Sequence, residues 1–434
     1  PQSLQDIIND PQKRKKLVVY INPPYAESGD SKQRMGTGKN KSNVASETVI
    51  YQKFSKDYGT ATRELFTQFL IRINSQISNC IVGNFSKLKF IQSQNFEKFR
   101  SQFKADYVSS FIVPATTFDN VNGKFPIGFF IWNLNTNNTI HPFITDVYDT
   151  KTFLGTKNIT IPAKGNFLID WLRPYYDKLG SSIGYLRVNG PDVQNNLGVF
   201  ITSSPTANDV KKHFVYNISN KNLIYISIYY AVRKSIKATW INDRDQFLHP
   251  NGSWENDFEF QNDCLTYTLF DNSNNIQSED GINHWIPFTE QDVDAKEKFA
   301  SNFMTNFIKG KLPTTNEATL FENTTQKNGA LEFSEDAKAV FDAGKELWRY
   351  YHAQKFPSER GVDSDEIGRR GVYNVNASYY DIREYFQGRN DKGKMNAKSS
   401  DEKYTELNAE LKTKLNILAD KIKPKIYEYE FLKE

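Results

Sequence analysis

The fold of this 434-residue chain is decided by the stretch Leu17-Val18-Val19-Tyr20-Ile21-Asn22-Pro23-Pro24-Tyr25. Its first part, residues 17–21, is apolar and rich in β-branched residues, which predicts a short buried strand. The two prolines lack the N–H groups that a strand ladder needs, so the strand must end before them. Because ligands of open α/β sheets bind beyond the carboxyl ends of strands, the tetrapeptide 22–25 is the first candidate for a functional site.

Strand and helix patterns alternate after this stretch. Apolar residues recur every four positions within residues 62–77 and predict an amphipathic helix, at Leu65, Phe69, Ile73 and Ile77. Further strands are predicted at 79–85, 108–113 and 129–134, with a helical stretch at 94–103 between the first two. Residues 1–135 therefore predict an α/β fold class, as part of an open sheet of Rossmann-like type.

The pattern of apolar and polar residues changes after residue 135. Residues 136–330 contain short β-like runs at 223–232 and 265–270 between polar turns, which predict a mixed α/β domain. Residues 331–434 predict a helical region. One helix begins at the N-cap Ser334, and another runs from Tyr404 and stops just before Pro424.

Composition narrows the class of protein. Residues 1–135 contain 18 of the 55 Lys and Arg residues but only 10 of the 51 Asp and Glu residues. This basic excess suits a surface that faces phosphate. The two cysteines, Cys80 and Cys264, favour a reducing, cytoplasmic setting over a disulfide framework. The five histidines lack the spacing of metal ligands, and no apolar run predicts a membrane span. We expect a soluble protein without a metal site.

The tetrapeptide 22–25 combines two kinds of group. Asn22 offers a side-chain acceptor and the backbone before the prolines offers carbonyl acceptors, whereas Tyr25 offers an aromatic face. Acceptors beside an aromatic face suit an amino group attached to a planar ring, because the amino group donates two hydrogen bonds while the ring stacks.

The tetrapeptide resembles the catalytic motif of N6-adenine DNA methyltransferases. The downstream stretches 63–70, 111–118 and 128–132 are similar to the family's cofactor-bordering helix and closing strand pair, and 337–352 and 376–396 to the C-terminal region of large restriction–modification members. The resemblance implies that a flipped adenine is methylated from S-adenosylmethionine. It assigns catalysis to Asn22, Pro23, Pro24 and Tyr25, base stacking to Tyr25 and Phe118 or Phe125 (Phe118 being preferred), and cofactor binding to Phe66 and Phe69.

The chain departs from that family in one respect. No glycine-rich cofactor loop follows an apolar strand, and Gly36-Thr37-Gly38-Lys39 lies in a polar stretch. We therefore expect 1–135 to be the C-terminal half of the catalytic domain of a longer restriction–modification protein. Its expected partners are double-stranded DNA and a restriction subunit, a specificity subunit or a nuclease fused upstream.

Residues 136–330 are expected to recognise the DNA target, and basic residues elsewhere to contact DNA phosphates: Lys39, Lys41, Arg389, Lys392 and Lys394. Two alternatives stay open. The first is methylation of a protein glutamine by enzymes that share the Asn-Pro-Pro-Tyr element. The second is a fragment that binds DNA or a partner subunit without catalysis.

Overall fold

The protein has a mixed α/β fold. The computed structural model describes residues 3–24, 45–118, 123, 125–278, 281–312, 329–356 and 373–433. Within these residues the chain builds two β-sheets and two hydrophobic cores, one around each sheet.

The first sheet has six strands in the order β1-β2-β4-β3-β5-β6. β1 is parallel to β2, and β3 is parallel to β5, whereas β4 runs antiparallel to both of its neighbours, β2 and β3. The strands are β1 Val18–Ile21, β2 Ile81–Lys87, β3 Asp106–Pro114, β4 Pro126–Asn133, β5 Phe143–Asp149 and β6 Thr152–Ile159. The predicted strands after β1 are confirmed with shifted ends, and the sheet continues past residue 135.

Helices cover one face of this sheet. Phe66 and Leu70 from one helix meet Phe130 and Trp132 from β4 in a core where all four side chains have no exposed area. The helices of this part are α1 Leu4–Asn9, α2 Pro11–Arg14, α3 Val49–Tyr58, α4 Leu65–Gln76, α5 Lys89–Gln92 and α6 Glu97–Gln102. The helix predicted from the four-residue periodicity is confirmed as α4, but the predicted stripe is not its packed face: Phe69 is 45% exposed, and the helix packs through Phe66, Leu70 and Ile73.

The opposite face of the sheet carries partly exposed aromatic rings. Phe129 contacts Tyr20, Phe85 and Phe111, with ring centroids 5.8, 4.8 and 5.6 Å away. The prediction that β1 is buried is wrong: Val18 and Tyr20 are 65% and 68% exposed. Among the described residues β1 pairs with β2 alone, so its other edge and one of its faces stay open.

The second core contains residues from both the middle and the C-terminal parts of the chain. Its sheet has the order β10-β8-β7-β9, with β7 Gly184–Val188, β8 Phe200–Thr202, β9 Phe214–Ile218 and β10 Asn274–Asn275. Its helices are α7 Leu168–Leu172, α8 Ala207–Lys212, α9 Leu223–Ser235, α10 Phe258–Phe270, α11 Phe303–Ile308, α12 Glu335–His352, α13 Tyr379–Gln387 and α14 Glu402–Glu428.

Three features of this part differ from the sequence prediction. The β-like runs 223–232 and 265–270 lie in the helices α9 and α10, which are buried on nearly all sides. A helix surrounded by core shows no polar stripe, so its sequence has the same apolar character as a buried strand. The predicted stop before Pro424 is also wrong, because α14 continues to Glu428 and its end is held by the buried Ile426.

One segment links the two cores. Trp240 and Ile241 pack against the core of the first sheet. A few residues later, the Asp245 carboxylate accepts hydrogen bonds from Lys157 of β6 (2.6 Å) and from Gln92 of α5 (3.2 Å). These contacts join the first sheet to the rest of the molecule.

Candidate functional site

The predicted catalytic tetrapeptide begins where β1 ends. Because β1 and β2 are parallel, their carboxyl ends meet at the same edge of the sheet. Asn22 and Pro24 are exposed there, whereas Pro23 is buried. Tyr25 lies outside the described residues.

The turn between β3 and β4 brings Phe118 to this end of the sheet. Its ring meets that of Phe85 edge-to-face, with 5.5 Å between centroids. The register pairs Ile21 with Asn84, so Asn22, the residue that follows β1, comes level with Phe85 of β2. With neighbouring strands about 4.8 Å apart, Asn22 and the Phe118–Phe85 pair lie at the same end of the sheet.

Phe125, the other aromatic candidate, lies at the far end of the same turn. The Nζ of Lys87 is 5.7 Å from the centroid of its ring, a cation–π contact. Lys87 is the last residue of β2, and it is not among the site residues predicted from the sequence. It could have been predicted from its position at the carboxyl end of a strand, because a cation there lies at the same edge of the sheet as the tetrapeptide.

The two residues predicted to border the cofactor have different environments. Phe66 has no exposed area, and its ring packs against Phe90 and Phe96. Phe69 is 45% exposed on another side of α4. The burial of Phe66 argues that it supports the core and does not contact a ligand, which leaves Phe69 as the accessible member of the pair.

A charged pair near the end of β2 was missed by the sequence analysis. Lys89, the first residue of α5, forms an ion pair with Glu64, which directly precedes α4. The Glu64 side chain is only 3% exposed, and the Lys89 Nζ also lies 5.9 Å from the centroid of the Phe96 ring. The pair ties α4 to the chain that leaves β2, beside the candidate site.

Neither cysteine is suited to act as a nucleophile. Burial raises the pKa of the Cys80 thiol to about 11, against the smaller lowering effects of its own backbone hydrogen bond and of Arg14. Burial also raises the pKa of Cys264 well above its usual value. Both thiols stay protonated at neutral pH, and the thiolate is the reactive form.

Of the predicted phosphate contacts, Lys39 and Lys41 lie outside the described residues. The Arg389 guanidinium forms an ion pair with Glu384 and donates a hydrogen bond to the Gly393 carbonyl (2.7 Å), so it braces its own turn. The remaining two candidates are exposed on that turn, at Lys392 and Lys394.

Searches with family models, among curated proteins and among solved structures each found no match to this chain. In the described part of the chain, no group of three or more His, Cys, Asp or Glu side chains could hold a metal ion. No helix among those residues is long and apolar enough to cross a membrane.

Proposed function

We propose that the chain belongs to a DNA adenine-N6 methyltransferase of a restriction–modification system, acting in the cytoplasm, and that it supplies the part of the active site that holds the base. The observation that carries the proposal is the position of Asn22-Pro23-Pro24 beyond the carboxyl ends of two parallel strands, level with the aromatic pair Phe85–Phe118. The reversed strand β4, between β2 and β3, brings that pair there.

The polar side of the proposed mechanism rests on two acceptors. The lone pair of adenine N6 is delocalised into the ring, which makes the nitrogen a poor nucleophile. Asn22 Oδ1 and the Pro23 carbonyl oxygen would each accept one N6 hydrogen. Two such bonds favour a more tetrahedral nitrogen, whose lone pair is directed at the methyl group.

The aromatic side compensates for taking the base out of the helix. Flipping a base costs a few kcal/mol of stacking and pairing. Stacking on an aromatic side chain returns about 1–3 kcal/mol for each base. We assign this role to Phe118 together with Tyr25, and place Phe125 and Lys87 at the rim.

The methyl group would come from S-adenosylmethionine. The described residues fit the base better than this cofactor, since Phe66 is buried and Phe69 alone of the predicted pair reaches the surface. Among the described residues no strand pairs with the outer edge of β1, and Val18 and Tyr20 of β1 are exposed. An edge strand with exposed apolar side chains is a ready template for pairing with another segment, so we propose that a cofactor-binding segment pairs with β1 and covers its open face.

The experiment is a methyl-transfer assay with labelled S-adenosylmethionine and unmethylated bacterial DNA. It compares the 434-residue chain, the full product of its gene including any upstream segment, and that product carrying Asn22→Ala. Asn137→Ala, which removes an exposed amide outside the site, is the matched control.

We expect N6-methyladenine from the full product and its Asn137→Ala control, and none from Asn22→Ala or from the 434-residue chain. Label from the 434-residue chain alone would overturn the proposal of a separate cofactor segment. A full product that binds DNA without transferring methyl groups would support the non-catalytic alternative. Methylation of protein and not of DNA would replace adenine by glutamine as the substrate.

A further inference from the structure

Leu179 is at the tip of a turn between α7 and β7, and its side chain is 98% exposed. A single exposed leucine is common on protein surfaces and by itself indicates nothing. This turn differs from an ordinary loop because hydrogen bonds hold the backbone on both sides of the leucine.

Asp177 and β9 organise the turn. Asp177 Oδ1 accepts hydrogen bonds from the backbone N–H groups of Leu179 (3.2 Å) and Gly180 (2.9 Å), and its Oδ2 accepts one from the Ser219 hydroxyl (2.7 Å). The Asn217 amide donates to the carbonyl oxygens of both Asp177 and Gly180, at 3.1 Å each. The tip is therefore rigid before anything binds to it.

Gly180 is required by this arrangement. A Cβ at position 180 would lie 2.0 Å from Asp177 Oδ2 and 2.9 Å from the Ser219 Cβ. Burial raises the pKa of Asp177, but the hydrogen bonds from Ser219, Gly180 and Leu179 outweigh it and hold the pKa below its usual value. Asp177 is thus ionised at neutral pH, and its charge is engaged within the turn.

Cations and an aromatic ring flank the tip. The Lys178 Nζ lies 5.9 Å from the centroid of the Tyr176 ring, which is itself 41% exposed. Lys221 is exposed and acts electrostatically on Asp177. An apolar tip with Lys178 beside it and Lys221 near Asp177 complements a nucleic acid, which presents a stack of bases between two rows of phosphates.

We propose that Leu179 is a wedge that inserts between stacked base pairs of duplex DNA, with Lys178 and Lys221 against the flanking phosphates. The inference rests on the proposed function, in which one adenine leaves the stack. Side chains such as leucine are known to enter base steps and unstack them. A wedge that is already ordered loses little conformational freedom on binding, so more of its contact energy appears as affinity.

The test uses the selectivity of cysteine labelling. Cys80 and Cys264 are 1% and 0% exposed, so an environment-sensitive dye should react only with a cysteine introduced by Leu179→Cys. The matched control is Leu197→Cys, since Leu197 is 92% exposed on the 3-10 helix that precedes β8. Each labelled protein is the 434-residue chain, whose two native cysteines are Cys80 and Cys264. It is titrated with a mixed-sequence DNA duplex and, separately, with anionic phospholipid vesicles.

We expect the dye at position 179 to respond to the duplex and the dye at 197 to respond far less. Unlabelled Leu179→Ala should bind duplex DNA about tenfold more weakly than wild type, as expected for the loss of one buried leucine side chain, whereas Leu197→Ala should bind normally. Gly180→Ala should weaken binding similarly, with an unchanged circular dichroism spectrum.

Equal responses at 179 and 197, or a response at 179 to vesicles and not to DNA, would overturn the wedge. Normal DNA binding and methylation by Leu179→Ala would overturn the wedge and leave the proposed function standing. A wild-type protein that binds no DNA would remove both.

Discussion

At the scale of single residues, Phe118 and Phe125 belong to one turn but have different neighbours. Phe118 meets Phe85, which comes level with Asn22, whereas Phe125 meets Lys87. Proximity to Asn22 therefore favours Phe118 as the ring that stacks on the base.

Phe118→Ala should lower kcat/KM for DNA methylation by about 5- to 150-fold, the equivalent of one lost base–aromatic stack. Phe125→Ala should cost less. The control is Phe153→Ala, which removes a 54% exposed ring from β6, at the other end of the strand order from β1. The assay is steady-state methyl transfer by the full product, and a larger loss with Phe125→Ala than with Phe118→Ala would reverse the assignment.

His352 gives a second prediction at this scale. The side chain is 1% exposed, its Nδ1 lies 2.9 Å from the Tyr373 hydroxyl, and burial followed by the nearby Lys296 lowers its pKa to about 4. Below pH 6.5 the unfolded histidine binds a proton that the folded one does not, so stability is lost as pH falls from 6.5 towards 4.

The loss should reach about 3 kcal/mol by pH 4, and His352→Phe should remove that part of the pH dependence. Urea unfolding at several pH values measures it, and an unchanged m-value would show that stability alone has changed. A wild type and variant with parallel pH profiles would rule out the neutral buried histidine.

At the scale of elements, α12 packs closely on α10 at Gly344. A Cβ at this position would lie 2.4 Å from the Cε1 of Phe270, whose side chain is 1% exposed. Phe270 also meets the rings of Phe341 and Trp348 on α12, so it has little room to move.

Gly344→Ala should therefore destabilise the protein by about 1–3 kcal/mol, because the clash exceeds the gain in helix propensity of about 1 kcal/mol. The control is Gly252→Ala, where a Cβ would meet nothing within 4 Å. The measurement is the free energy of unfolding in urea for both variants and the wild type. A Gly344→Ala variant more stable than the wild type would mean that Phe270 can move.

At the scale of the whole molecule, a buried ion pair between Lys157 and Asp245 helps to join the two cores. The side chains of Lys157 and Asp245 are 9% and 8% exposed. Burial raises the pKa of Asp245, and Lys157 and Gln92 oppose that rise. Removing the cation would leave a buried carboxylate without its main partner.

Lys157→Met should cost about 3–5 kcal/mol of unfolding free energy, and the double variant Lys157→Met/Asp245→Asn should cost less. Unfolding of both single variants and the double variant completes a double-mutant cycle. Lowering the pH should partly restore Lys157→Met, because protonation removes the buried charge. Additive effects of the two substitutions would show that the contact does not couple the cores.

The sequence by itself determined the features that are written locally. β1 ends at Ile21 because two prolines follow closely, and the presence of α4 follows from its apolar periodicity. The start of α12 follows from the N-cap Ser334, whose hydroxyl accepts a hydrogen bond from the Ala337 N–H at 3.2 Å. Each depends on residues within a few positions of one another, so a linear reading contains the necessary information.

Only the tertiary structure decided which surfaces are covered. β1 has an apolar sequence but lies at an open edge, α9 and α10 are helices without a polar stripe, and α14 continues through Pro424 because Ile426 packs into the core. These outcomes depend on residues far away in the chain. The Phe118–Phe85 contact beside Asn22 arises in the same way, because the order of the strands in the sheet, and not their order in the sequence, brings those residues together.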